Sequence, residues 1–160
     1  MDLGWADLDQ EEKPGLLLKP GDLLFNWRNG SSEHLAKTAY FDAEGEFTHV
    51  GFLLRIRFDL HHFESRFYKA LLNALRATGF FLYSRAMVNN TFNQTELGNL
   101  SVVVPPLPEQ RAIVAHISAQ TAKLDALRSA TERTIVLLKE RRAALIAAAV
   151  TGRLHIPEAA

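Results

Sequence analysis

Hydrophobic and polar residues follow a helical period over the last third of the chain, residues 105–152. Apolar side chains recur in steps of four and three, and polar side chains fill the remaining steps of the same row. Pro108 suits a first helical turn, Gly152 suits a helix end, and no proline lies between them. The pattern therefore predicts one uninterrupted helix with a heptad seam. The apolar seam residues are Ile113, Ile117, Leu124, Leu127, Leu138 and Leu145, and the polar ones are Gln120, Thr131, Thr134 and Arg141.

The length of this helix decides how its apolar seam can be covered. A helix of about forty residues is roughly 60 Å long, which exceeds the diameter of a domain of this size. An ordinary amphipathic core helix is the alternative interpretation, but such a helix is shorter. We therefore predict that the seam pairs with a second long helix, from a partner or a second copy, and that its polar positions set the register.

The pattern before residue 105 predicts a small sheet. A turn at Lys19-Pro20-Gly21-Asp22 leads into an apolar run typical of a buried strand. Later residues alternate, with Phe52, Leu54, Ile56 and Phe58 on a core face, and Leu53, Arg55 and Arg57 on a mostly solvated face. The predicted strands are residues 23–25, residues 38–41, the alternating segment from residue 52, and a final β-branched strand at residues 100–104.

Helical spacing returns between the third and last predicted strands. Phe63, Phe67, Leu71 and Leu75 lie four residues apart, and Thr78-Gly79 ends this helix, which should pack on the sheet. Residues 80–87 fit either a helix or a strand. Residues 95–97 suit a single helical turn. The predicted class is α+β: a small mixed sheet with helices, followed by one long C-terminal helix that forms a coiled coil.

Composition removes several classes of function. The 160 residues include no cysteine, and their formal net charge is zero. A disulfide framework and a thiolate metal site are therefore excluded, and no nucleophile elbow, phosphate loop or metal-spaced cluster appears. Residues 1–18 form an acidic lead-in expected to be loosely structured, and His61 and His62 are expected to be solvated turn residues. No apolar run approaches membrane-spanning length, so we expect a cytoplasmic protein without a membrane partner.

Two polar segments, residues 28–37 and 85–94, have side chains suited to DNA. Arginine matches guanine and asparagine or glutamine matches adenine, whereas lysine suits phosphates. The same residue types are also ordinary in loops, and a solvated sheet face is the alternative for Arg55 and Arg57. The candidate base contacts are Arg28, Asn29, Ser31, Arg85, Asn90, Asn93 and Gln94, and the candidate phosphate contacts are Lys37, Arg55 and Arg57.

Several motifs carry a resemblance to a known family. The helix region contains Pro105-Pro106-Leu107-Pro108-Glu109-Gln110-Arg111, then Leu137-Leu138-Lys139-Glu140-Arg141-Arg142-Ala143-Ala144-Leu145-Ile146, and finally Ala149-Val150-Thr151-Gly152. Earlier come Leu18-Lys19-Pro20-Gly21-Asp22-Leu23-Leu24-Phe25 and Leu97-Gly98-Asn99-Leu100. Together they resemble the specificity subunit of type I DNA restriction-modification enzymes, over nearly the whole chain.

The resemblance implies a domain organisation and a set of partners. Residues 1–104 correspond to a DNA target recognition domain, residues 105–152 to a spacer helix, and residues 153–160 to a tail. In that family, two recognition units, in one chain or in two copies, pair their spacer helices antiparallel and each read half of a bipartite target in double-stranded DNA. The helices also dock modification subunits, which methylate adenine, and a translocating nuclease (restriction) subunit joins the full complex. No cofactor is expected in this chain; S-adenosylmethionine, Mg and ATP belong to those partner subunits.

The chain departs from the family pattern at its start. The family's recognition domain opens with several dozen residues before the Lys-Pro-Gly-Asp turn, so we expect an incomplete recognition domain with uncovered sheet edges. The expected function is the non-catalytic DNA-specificity component. The alternative is an assembly module that pairs through its helix but no longer reads DNA. An enzyme in its own right has no catalytic residues to support it.

Overall fold

The computed structural model describes residues 7, 9–11, 13–28, 33–83 and 92–153. Within these ranges the chain forms α1 (Lys13–Leu16), β1 (Leu23–Asn26), β2 (Thr38–Tyr40), β3 (Leu53–Ile56), α2 (Ser65–Ala77), α3 (Phe80–Tyr83), α4 (Gln94–Gly98) and α5 (Leu107–Val150). The predicted α+β class is confirmed. The chain divides into two units, Met1–Val114 and Ala115–Ala160, and the opening residues of α5 belong to the first unit.

β1 is the central strand of a three-stranded sheet with the order β2-β1-β3. Leu23 lies opposite Tyr40 of β2 and Ile56 of β3, and both strand pairs are antiparallel. Leu23 and Phe25 are 0% exposed, because alternate positions of a central strand face the core. The three predicted strands of this sheet are confirmed. We expected a mixed sheet, but no parallel pair occurs among the described strands.

α2 covers the core face of the sheet, as its four-residue spacing predicts. Phe67, Tyr68 and Leu72 are buried in the main hydrophobic cluster, and the apolar side chains of Phe67 and Leu72 each contribute roughly 1.5–3 kcal/mol by leaving water. The helix begins after Glu64, whose carboxylate accepts a hydrogen bond from the Arg66 amide at 3.4 Å. It ends at Gly79, whose φ of 78° favours a residue without a side chain.

Asn73 of α2 bonds directly to the outer edge of β2. Its Oδ1 accepts a hydrogen bond from the Thr38 amide at 3.2 Å, and its Nδ2 donates one to the Thr38 carbonyl at 2.8 Å. The side-chain amide thus occupies the two backbone groups of Thr38 that a further strand would use. α2 therefore occupies this edge at Thr38 as well as covering the face.

Three phenylalanines join the later helical turns to β1. The ring centroids of Phe25 and Phe81 lie 5.6 Å apart, and those of Phe81 and Phe92 lie 4.9 Å apart, both in edge-to-face geometry. Residues 80–83 are helical, as one of the two interpretations allowed, and residues 84–87 lie outside the described ranges. The predicted turn at residues 95–97 is confirmed as α4.

The predicted strand at residues 100–104 is wrong. This segment is irregular, and Val103 and Val104 are 65% and 60% exposed. β-branched residues favour a pleated surface with a neighbouring strand, and none of the described strands pairs with this segment. The valines therefore remain exposed and unpaired with any described strand ahead of Pro105.

Two further expectations need correction. Leu54, Ile56 and Phe58 pack against the core as predicted, but Phe52 is 50% exposed. Phe52 precedes β3 by one residue and lies beyond the edge of the core.

In the acidic lead-in, residues 13–16 form a helical turn, and Leu18 is buried with its amide bonded to the Phe47 carbonyl at 2.8 Å. Hydrogen bonds from Arg55 and Arg57 fasten this segment, which is therefore not loosely structured at residues 15–17.

α5 is the uninterrupted helix that the heptad pattern predicts. It runs for 44 residues, or about 66 Å at 1.5 Å per residue. Pro108 lies in the first turn, and Gly152 follows the last turn with a φ of 71°. The Arg153 amide then bonds back to the Ala148 carbonyl at 2.8 Å, which satisfies one of the last free carbonyls.

Candidate nucleic-acid and helix-pairing surfaces

Three chain segments meet at Trp27, immediately after β1. The Trp27 amide donates to the Phe52 carbonyl at 3.3 Å, and the indole Nε1 donates to the Gly51 carbonyl at 2.8 Å. The Trp27 carbonyl accepts a hydrogen bond from the Phe92 amide at 2.8 Å. We call this region, where β1 ends and β3 begins, the Trp27 end of the sheet.

Four of the predicted DNA contacts lie at the Trp27 end. Arg28 follows Trp27 directly, and Lys37 pairs with the last residue of β1 through the bond from the Asn26 amide to its carbonyl, 3.0 Å long. Asn93 and Gln94 follow Phe92. All four residues are exposed, so side chains from three separate stretches of sequence share one end of the sheet.

Asn93 also has a structural role. Its Oδ1 accepts a hydrogen bond from the Glu96 amide at 3.1 Å, while Glu96 Oε2 accepts one from the Asn93 amide at 2.7 Å. This reciprocal pair is a capping box that begins α4. Its cap role explains Asn93 without a ligand, whereas Gln94 has its side chain on the exposed first turn.

Arg55 lies in β3, Arg57 directly follows it, and both bind the protein itself. Arg55 donates to the carbonyls of Gly15 and Leu17 at 2.6 and 3.1 Å. Arg57 donates to the Leu17 carbonyl at 3.0 Å and pairs with both carboxylate oxygens of Asp22 at 2.7 and 2.6 Å. These bonds fasten the segment before β1. Arg57 lies beside the start of β1, at the opposite end from Arg28.

The Asp22–Arg57 pair changes the protonation of both groups. Burial alone would raise the pKa of Asp22, but hydrogen bonds from Arg57 and the Lys19 amide, with the charges of Arg57 and Arg55, outweigh it and hold that pKa below its ordinary value. The hydrogen bond to Asp22 raises the pKa of Arg57 above its ordinary value. The pair is therefore charged at neutral pH.

The remaining predicted DNA contacts cannot be placed, because they lie outside the described residues. These are Asn29, Ser31, Arg85 and Asn90. The assignment of all ten candidate DNA contacts stays a prediction.

Gln110 fastens the first turn of α5 to the start of α2, a contact that sequence reasoning missed. Its side chain is 0% exposed, its Oε1 accepts a hydrogen bond from the Glu64 amide at 2.8 Å, and its Nε2 donates to the Pro105 carbonyl at 2.8 Å. Arg111 adds a 3.9 Å ion pair with the Glu64 carboxylate. The only signal in the sequence was the position of Gln110 within the Pro-Pro-Leu-Pro-Glu-Gln-Arg motif.

The seam of α5 changes character along the helix. Ile113 packs against the core of the first unit together with Val114. The later apolar seam residues are exposed: Ile117 by 42%, Leu124 by 65%, Leu127 by 65%, Leu138 by 57% and Leu145 by 47%. Leucines at this exposure and spacing form an apolar row suited to a second helix.

The threonines of the seam are compatible with burial. Thr131 Oγ1 donates to the Leu127 carbonyl at 2.9 Å, and Thr134 Oγ1 donates to the Ala130 carbonyl at 2.9 Å. A hydroxyl that already has a partner loses little when water is removed. The two polar positions can therefore enter a helix pair without an unsatisfied donor.

The described residues show neither a metal cluster nor a membrane helix. No group of three or more histidine, cysteine, aspartate or glutamate side chains within them is placed to hold a metal ion. None of the helices in the described part of the chain is long and apolar enough to span a bilayer.

Comparisons with known proteins agree with the motifs. Residues 4–135 match the family described as type I restriction modification DNA specificity domain. The chain is 34% identical over 120 residues, 72% of its length, to a protein assigned as the type I restriction enzyme MjaX specificity subunit of Methanocaldococcus jannaschii. It is 28% identical over 153 residues, 92% of its length, to the type I restriction enzyme StySPI specificity subunit of Salmonella potsdam.

The matched regions make up 28% and 32% of those two relatives, so the chain spans less than a third of the length of each. No solved structure gave a significant match. Both relatives are named as specificity subunits, which agrees with the resemblance carried by the helix motifs. The chain therefore belongs to the type I restriction modification DNA specificity family.

Proposed function

We propose that the chain is a non-catalytic DNA-specificity component of a type I restriction-modification enzyme, which reads one half of a bipartite target and joins the assembly through α5. The observation that carries the proposal is the row of exposed leucines along α5. Apolar side chains at heptad spacing on a helix of about 66 Å are stabilised by a second long helix. A second copy or a second recognition unit, packed antiparallel, supplies it.

The Trp27 end of the sheet is the DNA-reading surface in this proposal. Arg28 and Gln94 are exposed there and have the side chains that bind guanine and adenine edges, and Lys37 suits a phosphate. Arg57 is less suited to DNA than the sequence pattern indicated, because its guanidinium is already paired with Asp22. The main phosphate contact is therefore assigned to Lys37.

The proposed assembly assigns the chemistry to partner subunits. Modification subunits bind α5 and transfer a methyl group from S-adenosylmethionine, and a restriction subunit supplies ATP- and Mg-dependent translocation and cleavage. This chain contributes sequence preference and holds none of these cofactors. Its cytoplasmic location follows from these partners.

Selection from a randomised DNA pool tests the reading function. The chain is incubated with the pool at fixed salt, with and without a modification subunit, and bound sequences are compared. Arg28→Ala should relax preference at one base pair at a cost of about 1–3 kcal/mol, whereas Lys37→Ala should weaken binding to all sequences alike. Arg128→Ala, which removes an exposed arginine from α5, controls for net charge and should bind as the unaltered chain does. Unchanged preference in Arg28→Ala would show that the base-reading assignment is wrong.

An assembly module without DNA reading is the second candidate. It is favoured by the internal roles of three predicted contacts, because Arg55, Arg57 and Asn93 all bond within the protein. This candidate predicts that the chain associates through α5 and enriches no sequence from the pool in either condition. The same selection therefore separates the two functions.

A further inference from the structure

We infer that the turn between Val50 and Leu53 is an additional DNA contact, in which Val50 and Phe52 bind the 5-methyl group of thymine in the major groove. The inference rests on the proposed DNA-reading function and adds a specificity-determining site to it. No residue of this turn was among the contacts expected from the sequence.

The backbone of this turn is fixed on two sides. The Leu53 amide bonds to the Val50 carbonyl at 2.9 Å and closes the turn. Trp27 holds the two central carbonyls, through its indole to Gly51 at 2.8 Å and through its amide to Phe52 at 3.3 Å. The backbone that carries these side chains is therefore ordered before any ligand arrives, which lowers the entropy lost on binding.

The two apolar side chains of the turn are left uncovered. Val50 is 52% exposed and Phe52 is 50% exposed, although Leu54 and Ile56 of the strand that follows pack on the core. The apolar face of β3 thus extends beyond the core at the Trp27 end. Two exposed apolar side chains on a turn with a fixed backbone are available to contact a ligand.

The neighbouring side chains favour a DNA base edge as the occupant. Arg28, Lys37 and Gln94 are exposed at the same end of the sheet, and their donors and positive charges match phosphates and purine edges. Thymine presents a methyl group in the major groove, and apolar side chains contact it there. A turn with two apolar side chains among polar base-reading residues has the composition required for that contact.

Replacing thymine by deoxyuridine in the DNA that the chain enriches tests the inference. Uracil keeps the pairing and the O4 acceptor and lacks only the methyl group. At one or two positions this replacement should weaken binding of the unaltered chain about fourfold, which corresponds to roughly 0.8 kcal/mol for one buried methyl group. Phe52→Ser and Val50→Ser should bind the thymine and uracil forms equally at those positions.

Leu60→Ser is the matched control. Leu60 is 52% exposed and lies against Gly21, at the opposite end of β1, so this variant should keep the thymine preference. If the unaltered chain enriches a sequence but binds thymine and uracil forms alike, the inference fails and the proposed function stands. If it enriches no sequence, both fail. Each serine variant removes a different apolar side chain of the turn, so if one fails to fold, the other still tests the inference. A serine variant that instead abolishes self-association would show that protein covers this turn.

Discussion

At the scale of single residues, the contact between Asp22 and Arg57 holds the entry to the central strand. Asp22 is 1% exposed, and its carboxylate accepts hydrogen bonds from Arg57 and from the Lys19 amide. Arg57 also bonds to the Leu17 carbonyl. One charged pair therefore fixes both the Lys-Pro-Gly-Asp turn and the segment before it.

Asp22→Asn should lower the free energy of unfolding by roughly 2–4 kcal/mol at pH 7. The predicted loss is slightly smaller than the roughly 3–5 kcal/mol for removing one partner of a fully buried ion pair, because Arg57 keeps 35% of its side chain exposed. The pKa of Asp22 is lower folded than unfolded, so its contribution is complete above about pH 4 and is lost as the pH falls through the folded pKa. Urea unfolding from pH 7 to pH 2 should therefore show the two proteins converging in acid.

The control for this prediction is Asp42→Asn, which changes an exposed carboxylate. It should follow the unaltered chain at every pH. A stability difference between Asp22→Asn and the unaltered chain that stayed constant from pH 7 to pH 2 would contradict the role of the ionised carboxylate.

Sequence reasoning identified Arg57 as a residue of the outer face of a strand but not its partner. Alternation along β3 is a local pattern, and it placed Arg55 and Arg57 opposite Leu54 and Ile56. The partner Asp22 is 35 residues away in sequence. Its burial depends on how the strands pair, which no local pattern reveals.

At the scale of elements, α5 combines two different environments in one helix. Its first turns are buried against α2 through Gln110 and against the core through Ile113. Its later turns expose the leucine row. The first part is held by its own unit, and the second is suited to a partner helix.

Leu138→Glu should weaken self-association of the chain by at least about 100-fold. An antiparallel pair loses one buried leucine from each helix, at roughly 1.5–3 kcal/mol each, whereas glutamate retains high helix propensity. Sedimentation of the unaltered chain and the variant over a range of concentrations measures the change.

Val136→Glu supplies the matched control. Val136 is 54% exposed, close to the 57% of Leu138, but two residues rotate the side chain about 200° around the helix axis. This variant should associate as the unaltered chain does. Equal weakening by both substitutions would contradict a defined seam, and no weakening by either would contradict pairing through Leu138.

The helices with local patterns were predictable from sequence, whereas the strand predicted at residues 100–104 was wrong. α2 and α5 follow from their helical periods, and Gly79 and Gly152 marked their ends. Residues 100–104 have the β-branched composition of a strand, but a strand requires a partner, and none of the described strands pairs with them. The β-branched composition therefore favours a strand at residues 100–104, but no described strand lies beside them to pair with.

At the scale of the whole molecule, the first unit includes the beginning of the long helix. It extends to Val114, whereas the family resemblance suggested a recognition domain ending at residue 104. The residues in between include buried Gln110 and the partly buried Ile113 and Val114. The start of α5 is therefore part of the first unit's packing.

A chain ending after Val114 should be more stable than one ending after Val104. The shorter chain loses two hydrogen bonds of Gln110, at about 0.5–1.5 kcal/mol each. It also loses the partial burial of Ile113 and Val114, at about half of the roughly 1.5–3 kcal/mol for a fully buried side chain, for a total of roughly 2.5–6 kcal/mol. Thermal unfolding followed by circular dichroism measures the difference. Equal stability of the two chains would show that the opening turns of α5 add nothing to the first unit.

The apolar row of α5 and the Trp27 end of the sheet differ in how far the sequence could predict them. The apolar row of α5 was readable because its spacing is regular. The Trp27 end was not, since Arg28, Lys37 and Gln94 come from separate stretches that are joined through backbone bonds to Asn26 and Trp27. Sequence supplied the residue types at that end, and folding supplied their proximity.

The amide of Asn73 has a consequence for crowded solutions of this protein. Sheets grow into fibrils when the open border of one copy adds the backbone of the next. At Thr38 that border is already occupied by the side chain of the same molecule. Another copy could pair with Thr38 only by displacing the Asn73 amide, so this one side chain opposes fibril growth at that point of the border.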